Sequence, residues 1–370
     1  MTGPRLEVDL DAIRDNTRVL VDRLAPRGIR VTGVAKAALG SAGVARALLD
    51  GGAAGLGDSR VENLARLRAA GIDAPRTLIR APMLSQVDSV VRHADTSMNT
   101  EAVVLDALSA AAQRQTTTHG IVVMVELGDL REGIAVGDVL DLARSVLCRP
   151  WLTLAGLGTN LACQCGVVPD QAKMDELSRL VEQVEAACGI ELSIVSGGNS
   201  ANLDWALSTA DCGRVDDLRL GESILLGTEP LHRRPIDGLR TDAFSLVAEV
   251  IEVQVKPAQP WGALAQTAFG AQPARPGNGV IRQAIVALGR QDADPSGLTP
   301  PAGVELLGMS SDHLVVDLGD AAASVGDELR FDVDYSALLR AMTSEFVTKV
   351  ELAGAGAGDG NRTRVLSLGS

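Results

Sequence analysis

The sequence predicts an α/β chain. A (β/α)8 barrel spans residues 1–235, an antiparallel β domain follows at 236–352, and a disordered tail occupies 353–370. Three observations carry that fold. From Asp11 to about residue 230, eight short apolar runs alternate with segments of helical period. The runs are followed by polar residues of the kind a barrel gathers at the carboxyl ends of its strands. After Pro235 the helical rhythm stops and period-two alternation replaces it.

The eight runs are Ile29–Ala35, Ala53–Gly57, Thr77–Ala81, Thr96–Met98, Gly120–Leu127, Leu154–Thr159, Leu192–Ser196 and Leu218–Leu220. An extra helix, about Asp11 to Leu24, precedes the first. The clearest helix is Pro169–Cys188. There Leu177, Leu180, Val181, Val184 and Cys188 recur at helical spacing, behind a first turn opened by Pro169 and Asp170. A doubly wound open sheet is the alternative, but it calls for a glycine-rich turn after its first strand, and none is present. In the second part "FSLVAEVIEVQV" (Phe244–Val255), "AIVALG", "HLVVDL" and "ELRFDV" read as strands, joined by the N-terminal "LEVDL". The tail "AGAGAGDGNRTRVLSLGS" is glycine-rich, polar and without period.

Bulk composition excludes several function classes. With 34 basic and 47 acidic residues the net charge is −13, which argues against nucleic-acid and membrane-surface partners. Four Phe, three Trp and one Tyr make base-stacking platforms unlikely choices for this chain and single out Tyr335. No charged start precedes an apolar run and no apolar run would span a bilayer, so a cytoplasmic location is expected. Five cysteines (148, 163, 165, 188, 212) and four scattered histidines (93, 119, 232, 313) lack metal spacing, so reduced thiols and no metal are expected.

One lysine draws the eye. Lys36 ends the first strand in "IRVTGVAKAALG", in a chain with only four lysines among its 34 basic residues. A strand-end lysine can simply snorkel to solvent. A desolvated one can instead lose its proton and become a nucleophile or Schiff-base former, which arginine cannot do. The other strand ends add Asp58, Ser59, Arg60, Arg80, Asn99, Arg131, Asn160, "SGGNS" (Ser196–Ser200) and "RLGES" (Arg219–Ser223). Either of the last two loops alone reads as an ordinary capped helix. Together, after strands seven and eight, they are where a barrel holds phosphate on backbone N–H groups. An imine-forming lysine facing a phosphate cradle describes pyridoxal 5'-phosphate.

At this point the motifs match a known family. "VTGVAKA", "GLGDSRVENL", "LGDLREGI", "GLGTN", "SGGNS", "LRLGESILLG", "GRQDADPSGL" and "SSDHLVVD", in order over about residues 5 to 350, resemble the barrel-type pyridoxal-phosphate racemases, above all the alanine/ornithine racemase subgroup. The resemblance implies that Lys36 is the Schiff-base lysine and the base on one cofactor face. It implies that Arg219 hydrogen-bonds the pyridine nitrogen. Asn199 and Ser200, with the backbone of Gly221 and Glu222, would form the phosphate cradle, and Tyr335 of the second domain would reach it. Arg131 would lie near the cofactor's phenolic oxygen and the substrate carboxylate, and Asn160 stands where the family usually has histidine. The partner implied beyond the amino-acid substrate is a second copy, with the active site shared in a homodimer.

Two departures stand out. Met124 holds the place of the carbamylated lysine that usually steadies the arginine at position 131. Arg290 holds the place of the tyrosine that usually acts as second base. Arginine is a poor base but can clamp a carboxylate. Asp292 is the expected acid/base, with Asp294 and His313 as alternatives, and a loop cap is the plain reading of "DAD". Glu132, Asp292 and Asp294 offer anions for a side-chain ammonium, so a basic substrate such as ornithine is expected ahead of alanine. A decarboxylase of the same fold is the competing function, but its reactive cysteine loop has no counterpart after Cys212. A non-catalytic pyridoxal-phosphate carrier is the third reading.

Overall fold

The computed structural model describes residues 3–270 and 277–354 in full and the backbone of 363–365. The chain divides into two compact units, Ala12–Thr241 and Met1–Asp11 with Asp242–Ser370. The first strand, β1 (Arg5–Asp9), belongs to the second of these, and the helix Leu10–Leu24 follows it directly.

In the larger unit eight parallel strands close on themselves. They are β2 (Arg30–Val34), β3 (Gly55–Asp58), β4 (Arg76–Leu78), β5 (Thr96–Asn99), β6 (His119–Val125), β7 (Leu152–Thr159), β8 (Ile194–Asn199) and β9 (Asp217–Leu220). Each overlaps one run expected from the sequence, so the barrel is as predicted. The third run ends early, at Leu78, since after the bond from Ile79 N–H to the Asp58 carbonyl (3.0 Å) the chain turns out towards Pro82. Closure is the pairing of β9 with β2, in which Val31 lies opposite Leu218 and Thr32 opposite Arg219. All residues of β6 are buried, as expected for a parallel strand covered on both faces. Met98, Val122 and Met124 pack together inside, with Ile79, Ala155 and Ile194 against them.

The helices obey their local chemistry. Gln171–Cys188 starts on Asp170, whose carboxylate accepts from the Lys173 N–H (3.0 Å), and ends on Gly189 at φ 64°. Leu177, Leu180, Val181 and Val184 are buried along it as the spacing predicted, each contributing about 1.5–3 kcal/mol. The helix Leu10–Leu24 is tied down by Asn16. Its amide donates to the carbonyls of Ile224 (2.9 Å) and Arg240 (2.8 Å) and accepts from the Arg240 N–H (2.7 Å).

The second unit is built from β1 and from β10 (Phe244–Pro257), β11 (Val280–Val286), β12 (Leu298–Thr299), β13 (Glu305–Met309), β14 (Leu314–Asp317), β15 (Glu328–Val333), β16 (Thr348–Leu352) and β17 (Thr363–Val365). β10 is irregular between Val250 and Glu252: before that point it pairs with β1 and β15, after it with β11. The pairings are antiparallel except that of β1 with β16, which is parallel. Within the tail expected to be disordered, β17 pairs with β16. Residues 355–362 and 366–370 lie outside the described residues. Among the described residues no helix is long and apolar enough to cross a membrane.

One contact in the barrel leaves no room for error. A Cβ on Gly156 would fall 1.9 Å from the Ile194 carbonyl oxygen, so β7 meets β8 at a distance only glycine permits. Gly156→Ala should therefore cost about 1–3 kcal/mol. Thermal unfolding is the measurement, and an unchanged midpoint would reject this account of the register.

Candidate functional site at the barrel rim

The carboxyl ends of the strands assemble the site from short turns. Past β2 the chain enters a tight turn, Lys36–Ala38, with Leu39 at φ 52° and Gly40 at φ 66°. Gly40 packs on Asn63, where a Cβ would come within 2.8 Å of the Asn63 Cβ. Lys36 is half-buried. Burial holds its ammonium below the ordinary lysine range; Cys163 and Asp58 act against this, while Arg131 and Arg219 reinforce it.

Arg219, on β9, is 5% exposed. Its guanidinium donates to the Ser196 hydroxyl (2.6 Å) and the Thr159 carbonyl (2.8 Å). Ser196 in turn donates to Asp217 (2.5 Å), which also accepts from Thr32 (2.6 Å). Four neighbouring strands are thus linked through one cation. Burial pulls the Arg219 pKa below the usual arginine value, opposed by Asp217.

The loops after β8 and β9 meet at two hydroxyls. Ser200 and Ser223 lie 2.9 Å apart, and the N–H groups of Ser223 (3.2 Å) and Gly221 (3.4 Å) point to the Ser200 oxygen. Glycine is required at Gly198, at φ 145°, where a Cβ would meet the Asn202 Oδ1 at 2.1 Å. Asn199 donates to the Leu161 carbonyl (2.8 Å) and to the Cys163 sulfur (3.4 Å). Glu222 gives its carboxylate to Arg233 (2.6 Å).

Arg131 is exposed and held bidentately by Glu132, which raises its pKa further. The Asn160 amide lies between cations. Turned one way its oxygen accepts from Asn199 (3.0 Å) and Arg219 (3.4 Å); turned the other, from Arg131 (3.0 Å) and the Leu161 N–H (3.3 Å). Met124 is buried in the barrel interior. Glu132 and Asn160 are thus the polar groups against Arg131 here.

Asp129, which the sequence reading passed over, joins the loops that carry Arg131 and Asn160. It is 1% exposed, and its carboxylate accepts from the N–H groups of Cys163 (3.1 Å), Gln164 (3.0 Å) and Cys165 (3.0 Å). Burial opposes that charge, yet the N–H groups outweigh it and hold the carboxyl below the ordinary aspartate range. The "CQC" stretch, Cys163–Cys165, is where this anchor binds. The Cys163 thiol so positioned lies in the field of Lys36, Arg131 and Arg219.

The remaining expected residues belong to the second unit. There "GRQD" and "SSDH" are stitched to each other. Arg290 N–H donates to the Ser310 carbonyl (2.9 Å), Gln291 N–H to Ser311 (3.2 Å), and the Gln291 amide to Asp312 (2.6 Å). The Arg290 side chain donates to the Met309 carbonyl (3.1 Å) and lies over the Phe269 ring, 4.7 Å from its centroid. Asp292 is 7% exposed and works as a loop cap: it accepts from the Gly289 N–H (2.9 Å) and the Ser344 hydroxyl (3.1 Å). Asp294 accepts from Ser296 (2.7 Å) and Ser336 (2.6 Å). His313 is exposed. Tyr335 is half-buried and opens the helix Tyr335–Thr343, which Asp334 caps. The three carboxylates expected to await a side-chain ammonium, Glu132, Asp292 and Asp294, are therefore all engaged by nearer donors.

The Asp129 anchor carries an acid dependence. Its pKa is lowered on folding, so its stabilisation is complete above the unfolded value of about 3.9 and is lost as pH falls through the folded one. Asp129→Asn should destabilise the protein by about 2 kcal/mol at neutral pH. The gap to wild type should close below a pH of about 4. A gap that persists unchanged in acid would show that the charge is not what holds the loop.

Comparison with known proteins agrees with this geometry. Residues 8–230 match the family described as alanine racemase, N-terminal domain. A lysine racemase of Thermotoga maritima is 38% identical over 95% of this chain and 99% of its own length. An ornithine racemase of Acetoanaerobium sticklandii is 34% identical over 94% and 99%. An alanine racemase of Thermobifida fusca is 30% identical over 86% of each. Among solved structures, the alanine racemase of Streptomyces coelicolor A3(2) superposes with a TM-score of 0.77 over 95% of this chain and 98% of that one, at 21% identity, which establishes the shared fold. With a barrel, a rim and a sequence match of this extent, the chain belongs to the alanine racemase family.

Proposed function

We propose that the protein is a pyridoxal-phosphate-dependent racemase of basic amino acids such as lysine and ornithine, acting as a homodimer. The observation that carries the reading is one barrel rim bearing a desolvated lysine, a buried arginine and a pair of loop hydroxyls. The residues fit the cofactor: Lys36 offers an amine of reduced basicity, Arg219 a fixed cation, and Ser200 and Ser223 hydroxyls beside backbone N–H groups. When bound, pyridoxal phosphate supplies an aldehyde that condenses with amines and a ring that takes up electron density from Cα.

The protein's own part is positional and protonic. Lys36 Nζ takes and returns a proton on one face of Cα. Arg219, a permanent cation, would keep the ring nitrogen unprotonated, and the ring would then withdraw electrons less strongly. That favours reprotonation at Cα over side reactions. Ser200, Ser223, Asn199 and the backbone of Gly221 and Glu222 would hold the phosphate. Arg131 receives the substrate carboxylate, steadied by Glu132 and Asn160 in place of a modified lysine. Arg290 is a second carboxylate contact.

The opposite face needs a second base, drawn from the Asp242–Ser370 unit of the partner chain. Of the three candidates His313 now leads, because its ring is exposed while Asp292 and Asp294 are hydrogen-bonded within the unit. The basic substrate is supported by the relatives' named substrates rather than by Glu132, Asp292 and Asp294, which are engaged.

Borohydride reduction of the cofactor-loaded protein should place the cofactor mass on Lys36, and a label on Lys173 or Lys256 would overturn the assignment. Incubation of single enantiomers in deuterated water should racemise lysine or ornithine with deuterium entering Cα. A kcat/KM for alanine equal to that for either would reject the substrate class. His313→Asn should abolish exchange starting from one enantiomer only, and mixing it with Lys36→Ala should restore activity through hybrid dimers. If His313→Asn racemises freely and Asp292→Asn, still folded, does not, the second base is Asp292.

A further inference from the structure

We propose that Asp58 is the built-in counter-ion of Lys36, a positioning residue whose buried carboxylate sets the charge of the lysine amine. The inference rests on Lys36 being the reactive lysine but concerns a group to which no role has been given.

The placement comes from the sheet. β2 and β3 pair with Val34 opposite Gly57, and the Ala35 N–H donates to the Gly57 carbonyl (3.0 Å). Asp58 is the residue after Gly57, and Lys36 follows Val34 by two residues, at the start of the turn after β2. Asp58 is 0% exposed. Its Oδ1 accepts from the Arg60 N–H (2.9 Å) and the Asn63 amide (3.0 Å), while its Oδ2 is buried with no hydrogen-bond partner among the described residues. An orphaned carboxylate oxygen in the interior is costly unless a cation offsets it. The same network reaches the lysine's turn by a second route. Asn63 accepts from Arg66 (3.0 Å), and Arg66 donates to the Leu39 carbonyl (3.2 Å). "GLGDSRVENL" thus links Asp58 to the turn that begins with Lys36.

The need for an anion follows from what else faces the amine. Burial, Arg131 from the loop after β6 and Arg219 on β9 all drive Lys36 towards the neutral form, and Cys163 and Asp58 oppose them. An anion beside the amine works against all three. Burial pushes Asp58 itself up to about 6, against the Arg60 and Ser59 N–H groups, Asn63 and Lys36. Near neutral pH the carboxylate is thus ionised and favours the Lys36 ammonium. It restores basicity that the two arginines remove, without touching the substrate.

The test reads the charge of Lys36 in the full chain freed of cofactor. Acetic anhydride labelling, followed by mass spectrometry across neutral to alkaline pH, reports when Lys36 loses its proton. Asp58→Asn keeps an acceptor for Arg60 and Asn63 and removes only charge. It should lower the labelling midpoint by about one pH unit or more. Asp58→Ser, which retains a short acceptor for the Arg60 N–H, should do the same, and Asp58→Glu should stay near wild type. An unmoved midpoint in either uncharged variant with a wild-type circular dichroism spectrum overturns the proposal. A reciprocal measurement leaves Asp58 in place: Lys36→Met should raise the midpoint of the Asp58 carboxyl carbon resonance, and no shift there also overturns it. Neither readout depends on the cofactor, so failure here is distinct from a borohydride label found on another lysine.

Discussion

A guanidinium with almost no access to water is the constraint on which the barrel's chemistry depends. Arg219 stays charged in any folded protein, so its burial would be prohibitive without partners on every side. The solution spans four strands: Thr32 on β2, Asp217 on β9, Ser196 on β8 and the Thr159 carbonyl on β7. Two of these, β2 and β9, are the strands whose pairing closes the barrel. The cation and the closure therefore support each other, and a change in register at that seam would strand a charge in the interior.

That buried cation shapes everything around it. It helps to depress the Lys36 ammonium, and with Arg131 it makes the rim a place for anions. The supports of Arg131 differ from the modified lysine that the resemblance implies. Met124 can offer no charge, so Glu132 holds the guanidinium from the adjacent position while Asp129 anchors the loop opposite. Glu132 and Asp129 are thus spent on a cation and on backbone N–H groups of the protein itself.

Much of this was legible in the linear chain. Eight apolar runs at regular spacing specify a parallel barrel because strands covered on both faces must be apolar, and β6 shows this over its whole length. Lys36 stood out because lysine is rare here, and the paired glycine–hydroxyl loops because few other patterns present backbone N–H groups. Asp292 illustrates the opposite case. Its sequence neighbourhood suits either a reactive carboxylate or a loop cap, and only the positions of the Gly289 N–H and the Ser344 hydroxyl, the latter far away in sequence, distinguish the two.

The sequence by itself determined the barrel, the order of its strand ends and the kinds of side chain displayed on its rim, because periodicity and turn chemistry are local properties. The tertiary structure alone decided which charges are paired. Asp129 meets residues 163–165, Asp58 meets Asn63, and Ser196 relays Arg219 to Asp217, arrangements set by the folded chain. The physical reason is that electrostatic partners are set by distance and burial after closure, when desolvation makes each unpaired charge costly enough to select its neighbour.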